Sequence, residues 1–135
     1  MNQTKPTRIR DGDKWRWQWQ GWTSSAHEYL EERPWTPWVI GGELCFSARN
    51  GNKWTVVWGD RFAREYDDAY GTTDCDGVPL YIAREGQDWL LVLGSRESQR
   101  FPEQVSYKIV DGKPMIRLLN QPEGELIEPL WQPPA

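Results

Sequence analysis

The residues best suited to catalysis are a lone histidine and the serines and acids near it. His27 lies in the segment SSAHEY at 24–29. Acyl transfer needs a serine, a histidine and an acid that converge in space. The chain has no G-x-S-x-G elbow, and neighbours in sequence rarely form a triad. We therefore expect His27 to be a surface residue, and we keep as an alternative a small hydrolase that uses His27, Asp67 or Asp68.

Carboxylates also cluster, and paired acids can bind calcium or hydrolyse glycosides. The clusters are Glu31-Glu32, Asp67-Asp68 and Asp74 with Asp76. The stretch DCDG at 74–77 lacks the downstream glutamate that a calcium loop needs. Because DG recurs at 111–112, we interpret this stretch as a turn. Glycine loops that bind phosphate are absent from the sequence. We predict no catalytic residue, no metal site and no cofactor.

Ten tryptophans are the most unusual feature of the composition. Trp15, Trp17 and Trp19 alternate with polar residues, which places the three indoles on one face of a strand. Such a face must meet a core, a partner chain or a ligand. Exposed indoles with polar neighbours suit sugar stacking or a protein hot spot. The candidate ligand- or partner-binding residues are Trp15, Trp17, Trp19, Trp22, Trp35, Trp38, Trp58 and Trp131.

The overall composition excludes several classes of protein. A chain of 135 residues and 15.9 kDa corresponds to one domain. No apolar run approaches the roughly 18 residues that a membrane helix needs, and the first ten residues lack the apolar segment of a secretory signal. Because the two cysteines cannot form a disulfide framework, we expect a cytoplasmic protein with Cys45 buried in a strand and Cys75 beside a turn.

Charge is distributed unevenly along the chain. The net charge is −4 and the pI is 5.0, which argues against a dedicated nucleic-acid binder. Residues 1–22 nevertheless carry a local charge of +3, from Lys5, Arg8, Arg10, Lys14 and Arg16 against Asp11 and Asp13. Basic residues between aromatic ones can stack on single-stranded bases or lie at a membrane surface. We favour the simpler interpretation, a strand with one buried face, so that neither nucleic acid nor membrane is an expected partner.

A period of 35 residues runs through most of the chain. Gly42, Gly77 and Gly112 recur at this spacing in Gly-Gly or Asp-Gly turns. Residues 42–61 align with 77–96 without a gap and share eight identities in twenty. Trp54 and Trp89 occupy equivalent positions in this alignment, which predicts that both are packing residues. A half copy precedes the first repeat, since WQWQGW followed by EY at 28–29 resembles VVWGD followed by EY at 65–66.

Glycine turns that separate short apolar segments by 8–12 residues are typical of antiparallel β-proteins. We predict an all-β fold of antiparallel three-strand repeats of about 35 residues, in a propeller-like or meander array. The single domain 1–135 would contain a half repeat at 15–33, repeats at 38–71, 72–106 and 107–127, and a proline-rich tail at 128–135. Residues 24–32 could instead form a short helix, and PWTPW at 34–38 an extended linker. The C-terminal segment from Pro122 to Ala135 would wrap around the sheet or dock on a neighbouring subunit.

A composite of the aligned copies carries a resemblance to known repeats: DGVPLYIA at 76–83 with the glycine at 86, the pattern W-x-V-V-x-G at 54–59 and EYD at 65–67. These motifs, spread over 38–119, resemble the blades of WD40-like, TolB-type β-propellers and the tryptophan-glycine β-repeat families. The resemblance implies antiparallel blades arranged around an axis. Closed propellers have at least four blades of four strands, whereas this chain has room for about three and a half units of three strands. The units would therefore form one continuous meander, or several chains would assemble to close the array.

These features point to a protein that binds rather than catalyses. We predict a non-enzymatic protein-binding or self-assembly module that uses an aromatic β-surface, and hence a homo-oligomer or a complex with another protein, because open repeat ends and strand edges invite pairing. A carbohydrate-binding, lectin-like module that stacks sugars on Trp58 or on the N-terminal indoles is the first alternative. A small inhibitor of a target enzyme is another.

Overall fold

The fold is all-β and antiparallel, as predicted. The computed structural model describes residues 5–31, 37–120 and 125–132, which form fourteen strands and no helix. The first seven are β1 (Thr7–Asp11), β2 (Lys14–Trp19), β3 (Trp22–Thr23), β4 (Tyr29–Leu30), β5 (Trp38–Ile40), β6 (Glu43–Asn50) and β7 (Lys53–Trp58). The others are β8 (Arg61–Phe62), β9 (Asp68–Cys75), β10 (Val78–Glu85), β11 (Asp88–Leu93), β12 (Arg96–Glu97), β13 (Val105–Val110) and β14 (Lys113–Leu118).

The short helix considered at 24–32 is not formed by the residues that the structure describes there. Ser24, Ser25 and Ala26 are irregular, and Tyr29 begins β4. The segment is held by pairing to strands, because the backbone of His27 exchanges two hydrogen bonds with Trp15. Across the described ranges, no helix is long and apolar enough to span a membrane.

The chain divides into two compact units, unit 1 (Met1–Glu65) and unit 2 (Tyr66–Ala135). Unit 1 holds a sheet of order β1-β2-β3 and a second sheet in which β6 pairs with β7, β4 and β5, and β7 pairs with β8. Unit 2 holds a sheet of order β12-β11-β10-β9 and the hairpin β13-β14. Every strand pair in these sheets is antiparallel.

Three hairpins carry the same cross-strand pair of an arginine and a tryptophan. In each, the guanidinium lies over the indole ring and donates a hydrogen bond of 2.8 Å to the carbonyl of the turn glycine. The arginine, tryptophan and glycine are Arg10, Trp15 and Gly12 in β1-β2, Arg49, Trp54 and Gly51 in β6-β7, and Arg84, Trp89 and Gly86 in β10-β11. The hairpin of the first set begins at Thr7, before the predicted start of the half repeat.

Two short strands, β4 and β5, lie on the other side of β6, whereas one longer strand, β9, lies beside β10 with a register shift between Leu80 and Ile82. Strand β9 pairs with β10 from Asp68, opposite Arg84, to Cys75. In unit 1 the same role is divided between β4, with Tyr29 opposite Arg49, and β5, with Ile40 opposite Glu43. The predicted PWTPW linker lies in this gap, mostly outside the described residues, and its last residue begins β5.

The predicted glycine turns are confirmed by their backbone conformation. Asp76 and Gly77 have φ of 54° and 82°, and the other two turns also have positive φ at both central residues. Two positive φ values define the type I′ turn, whose twist matches that of the flanking strands. The carboxylate of Asp74 accepts a 2.7 Å hydrogen bond from the backbone N–H of Gly77, so the DCDG stretch is a turn, as interpreted.

Each unit has its own hydrophobic core. The core of unit 1 joins Trp17, Leu30, Leu44, Phe46, Ala48 and Val57. The core of unit 2 joins Cys75, Leu80, Ile82, Leu91, Val105 and Ile116. Both cysteines are free and buried, Cys45 inside β6 and Cys75 at the end of β9 beside its turn, as expected. Burial raises the pKa of the Cys45 thiol to about 12, so it behaves as a small apolar side chain.

Candidate functional site

The tryptophan-rich face of β2 meets the core of unit 1. Trp17 is only 4% exposed and belongs to that core, while Trp15, Trp19 and Trp22 pack against it and keep part of their surface in solvent. The sequence left open whether this face meets a core, a partner or a ligand. The core explains Trp15 and Trp17, because burial of these rings stabilises a small β-sheet unit. Trp19 and Trp22 have a second role, described below.

Of the other candidate tryptophans, Trp38 lies on β5 and Trp58 at the end of β7. Trp58 is half-buried; its indole N–H donates a 2.8 Å hydrogen bond to the carbonyl of Ile40, and the Arg61 guanidinium lies 3.7 Å from its ring centre. Trp38 is half-buried on β5, and Trp131 packs against the core of unit 2. Trp35 lies outside the described residues.

A cleft of about 240 Å³ opens at the end of the unit 1 sheets where three turns meet. We call it the tryptophan cleft. Its lining residues are Trp19, Gln20, Trp22, Gly42, Glu43, Leu44, Gly59 and Asp60. Trp19 and Trp22 face each other across the turn between β2 and β3. The glycines belong to the turns that precede β6 and follow β7.

Polar groups at fixed positions accompany the two indoles. The indole N–H of Trp22 donates a 3.2 Å hydrogen bond to a carboxylate oxygen of Asp60, which ties β3 to the turn after β7. Glu43 forms an ion pair with Arg61. A side chain at Gly59 would collide with the Glu43 carboxylate, so the glycine makes room for that acid. The cleft therefore offers indole surface together with two carboxylates, each held by a neighbour.

His27 is not a surface residue, contrary to the prediction. Its side chain is 5% exposed and makes edge-to-face contacts with the rings of Phe46 and Phe62. The prediction failed because the polar neighbours of His27 suggested that its side chain is exposed. In the structure its backbone pairs with Trp15, in the same way as the backbone of Phe101 pairs with Trp89. The histidine thus occupies a position that an apolar ring fills elsewhere in the chain.

Hydrogen bonds around His27 define which ring nitrogen carries the proton. The side-chain oxygen of Asn50 accepts the backbone N–H of Glu28 at 3.1 Å, which turns the amide NH2 toward Nδ1 of His27 at 2.8 Å. Because that NH2 can only donate, Nδ1 must accept, and Nε2 donates to the Ser25 hydroxyl at 2.7 Å. Burial, together with the charges of Lys14 and Arg16, lowers the pKa of His27. The ring is held neutral.

The acids considered for hydrolysis have structural partners. A carboxylate oxygen of Asp67 accepts a 2.6 Å hydrogen bond from the backbone N–H of Gly86, and Asp68 lies opposite Arg84 in β9 and β10. Both acids belong to unit 2, whereas His27 belongs to unit 1. Within the described parts of the chain, no three His, Cys, Asp or Glu side chains are grouped so as to hold a metal ion.

Comparison with protein-family models, with curated proteins and with solved structures gave no match for this chain. The resemblance to β-propeller blades therefore stays a prediction. Sequence reasoning proposed Trp19 and Trp22 as binding residues, but it missed Glu43 and Asp60. Both acids lie beside glycine turns that it had identified, and turns at one end of a sheet are common places for ligand contacts.

Proposed function

We propose that the protein is a non-enzymatic binding module that holds a carbohydrate in the tryptophan cleft. The observation that carries this proposal is the meeting of Trp19 and Trp22 with the carboxylates of Glu43 and Asp60 in one open recess. Binding sites combine aromatic surface with a few well-placed polar groups, and this cleft has both.

The chemistry of a sugar matches these groups. The C–H face of a pyranose packs against an indole ring, and its hydroxyls donate hydrogen bonds to carboxylates, which are strong acceptors. The volume of about 240 Å³ is below the roughly 300–1,000 Å³ of drug-sized sites and suits one sugar ring with the rest of a chain outside. The contact between Trp22 and Asp60 holds both groups in place before the ligand arrives, which reduces the entropy cost of binding.

Replacing Trp22 tests the proposal. Binding of a panel of neutral methyl glycosides and oligosaccharides would be followed by ligand-detected NMR and calorimetry. Trp22→Ala should weaken the sugar that binds by at least about tenfold, or about 1.4 kcal/mol, whereas Trp22→Phe should retain part of the affinity. Thr23→Ala, the exposed neighbour on β3, is the matched control. The proposal fails if no sugar of the panel binds, or if Trp22→Ala binds as well as the control.

Protein binding or self-assembly, the first function predicted from the sequence, remains a second proposal. The specific observation in its favour is the edge of β1, which lies on one side of its sheet and carries the basic N-terminal residues. A homo-oligomer, a protein complex and a small inhibitor are all forms of this proposal. A propeller-like repeat array and a cytoplasmic location are proposed with it, the latter because both cysteines are free.

A further inference from the structure

Strand β1 differs from its two counterparts in having a neighbour on one side only. Among the described residues it pairs with β2, and the sheet order is β1-β2-β3. Strands β6 and β10 carry the same arginine and tryptophan pair, yet each has a further strand on its other side, β4 with β5 and β9 respectively. Within the described residues, the first sheet therefore has no strand in the place that β4 with β5 and β9 occupy in the other two.

The backbone of Arg10 points toward this open edge. Trp15 exchanges both of its backbone hydrogen bonds with His27, on the β3 side of β2. Arg10 lies opposite Trp15, so the two form a non-hydrogen-bonded pair, and the N–H and C=O of Arg10 are directed away from β2. The counterpart in unit 2 behaves in this way, since the carbonyl of Arg84 accepts a 2.9 Å hydrogen bond from the N–H of Asp67.

The two complete sheets show what kind of segment fits beside such an edge. In both, an acid just before the neighbouring strand, β4 or β9, accepts a hydrogen bond from the backbone N–H of the hairpin glycine. The Glu28 carboxylate accepts from Gly51 at 3.2 Å, and the Asp67 carboxylate accepts from Gly86 at 2.6 Å. The residue two places after the acid is apolar and buried. It is Leu30 opposite Ala48 in unit 1 and Ala69 opposite Ala83 in unit 2. The shared pattern is an acid, any residue, and then leucine or alanine.

Charge favours the same kind of segment at β1. Residues 1–22 carry a local charge of +3, and Arg10 lies on the edge strand itself. An acidic extended segment would bring its carboxylate to the N–H of Gly12, the counterpart of Gly51 and Gly86, beside a strand whose surroundings carry a positive local charge.

We propose that β1 binds an extended acidic peptide of a partner protein, which adds as a fourth strand to the β1-β2-β3 sheet. Its sequence would follow the pattern acid, any residue, leucine or alanine, with the acid at Gly12 and the next residue opposite Arg10. Addition of a strand to a sheet edge is an established mode of peptide recognition. A second copy of this chain fits less well, because its segments of this pattern at 28–30, 67–69 and 88–90 are already paired with β6 or β10, and the one at 128–130 has a proline at its central position. The inference gives the protein-binding proposal a site and rests on it.

The probe is a synthetic peptide with the sequence of residues 64–71, REYDDAYG, capped at both ends. Added to the full chain labelled with ¹⁵N, it should shift the amide resonances of Thr7–Asp11. A peptide with Asn at the position of Asp67 should bind severalfold more weakly. Pro at the position of Asp67 should abolish binding, because the N–H of Asp67 donates to the edge carbonyl in unit 2, whereas Ala at this position keeps the N–H and should bind about as weakly as the Asn variant.

Two variants of the chain test the backbone contact itself. Arg10→Pro removes the N–H that points to the open edge and leaves the β1-β2 hydrogen bonds intact, so it should weaken peptide binding at least tenfold. Arg10→Ala keeps that N–H and should bind within about threefold of the unchanged protein. The peptide variants do not depend on how well Arg10→Pro folds.

The proposal is overturned if the peptide leaves Thr7–Asp11 unshifted, or if its proline and alanine variants bind equally. Light scattering on the same samples separates this failure from that of protein binding in general. Concentration-dependent dimers that Arg10→Pro abolishes would assign the edge to a second copy. Monomers that bind no peptide would remove the support for both proposals at once.

Discussion

At the scale of single residues, the buried His27 makes the stability of the protein depend on pH. Its pKa in the folded chain is lowered from 6.5, first by burial and then by Lys14 and Arg16. As the pH falls through 6.5, the unfolded chain therefore takes up a proton before the folded chain does. The free energy of unfolding should decrease below pH 6.5 and level off once the pH is below the folded pKa, with about 1.4 kcal/mol for each unit of the shift.

Replacement of His27 by Phe should remove this dependence. Phe is the residue at Phe101, whose backbone pairs with Trp89 as that of His27 pairs with Trp15. We expect the unchanged protein to lose stability in urea titrations between pH 7.5 and 5.5, and His27→Phe to show a flatter profile over that range. Equal slopes for the two proteins would contradict the neutral, buried ring, since the chain has no other histidine.

The role of His27 could not be predicted from the sequence for a physical reason. The alignment of EY at 28–29 with EY at 65–66 follows identical letters and gives no sign that His27 pairs with Trp15. In the structure the backbone of His27 forms the pair with Trp15 that anchors the end of β2. Strand pairing determines which residue takes this hydrogen-bonded position, and either a histidine or a phenylalanine can occupy it. The residue type alone therefore does not show that His27 is buried there.

At the scale of elements, the type I′ turns set the register of the hairpins. Gly77 has a φ of 82°, and a Cβ added there would meet nothing within 4 Å. Gly77→Ala should therefore cost about 1 kcal/mol through the backbone alone, because a side chain disfavours positive φ. Urea titration gives the free energy of unfolding.

The neighbouring residue provides a matched control for this turn. Asp76 also has positive φ, at 54°, and Asp76→Gly relieves the strain of a side chain in that region. It should change the free energy of unfolding by less than about 0.5 kcal/mol. A loss as large for Asp76→Gly as for Gly77→Ala would show that the Asp76 side chain, rather than backbone conformation, stabilises the turn.

Most elements could be predicted from the sequence because their causes are local. Glycine turns and alternating apolar residues determined the hairpins β6-β7 and β10-β11, which the structure confirms. The pairing of both β4 and β5 with β6 could not be predicted. Two short segments that are separate in the sequence share this one partner. No local pattern indicates that two segments share one neighbour.

At the scale of the whole molecule, the candidate site comes from distant parts of the sequence. The tryptophan cleft combines the turn after β2, the turn before β6 and the turn after β7. Trp19 and Trp22 could be proposed from residue type alone. Glu43 and Asp60 could not, because their role depends on packing between two sheets of unit 1. Acids beside glycine turns are common in protein sequences. Such an acid indicates a binding site only when the structure places an indole next to it.

The C-terminal segment was predicted to wrap around the sheet or to dock on a neighbouring subunit, and its described residues lie along unit 2. Ile127 exchanges two backbone hydrogen bonds with Ile116 on β14, and the N–H of Gln132 donates to the carbonyl of Glu97. Gln99 holds the intervening stretch, as its side-chain oxygen accepts the N–H of Leu130 at 2.7 Å. These contacts place the Trp131 ring on the hydrophobic core of unit 2.

Trp131→Ala should therefore destabilise the protein, although the residue lies near the end of the chain. Loss of a half-buried indole from the core should lower the free energy of unfolding by about 2 kcal/mol, measured by urea titration. Leu130→Ala is the matched control, because the Leu130 side chain is 63% exposed and its removal should cost less than about 0.5 kcal/mol. If both variants were as stable as the unchanged protein, Trp131 would have no part in the core and would instead be available to a partner. Selective loss for Trp131→Ala would remove it from the candidate binding residues and leave the cleft of unit 1 and the edge of β1 as the sites to test.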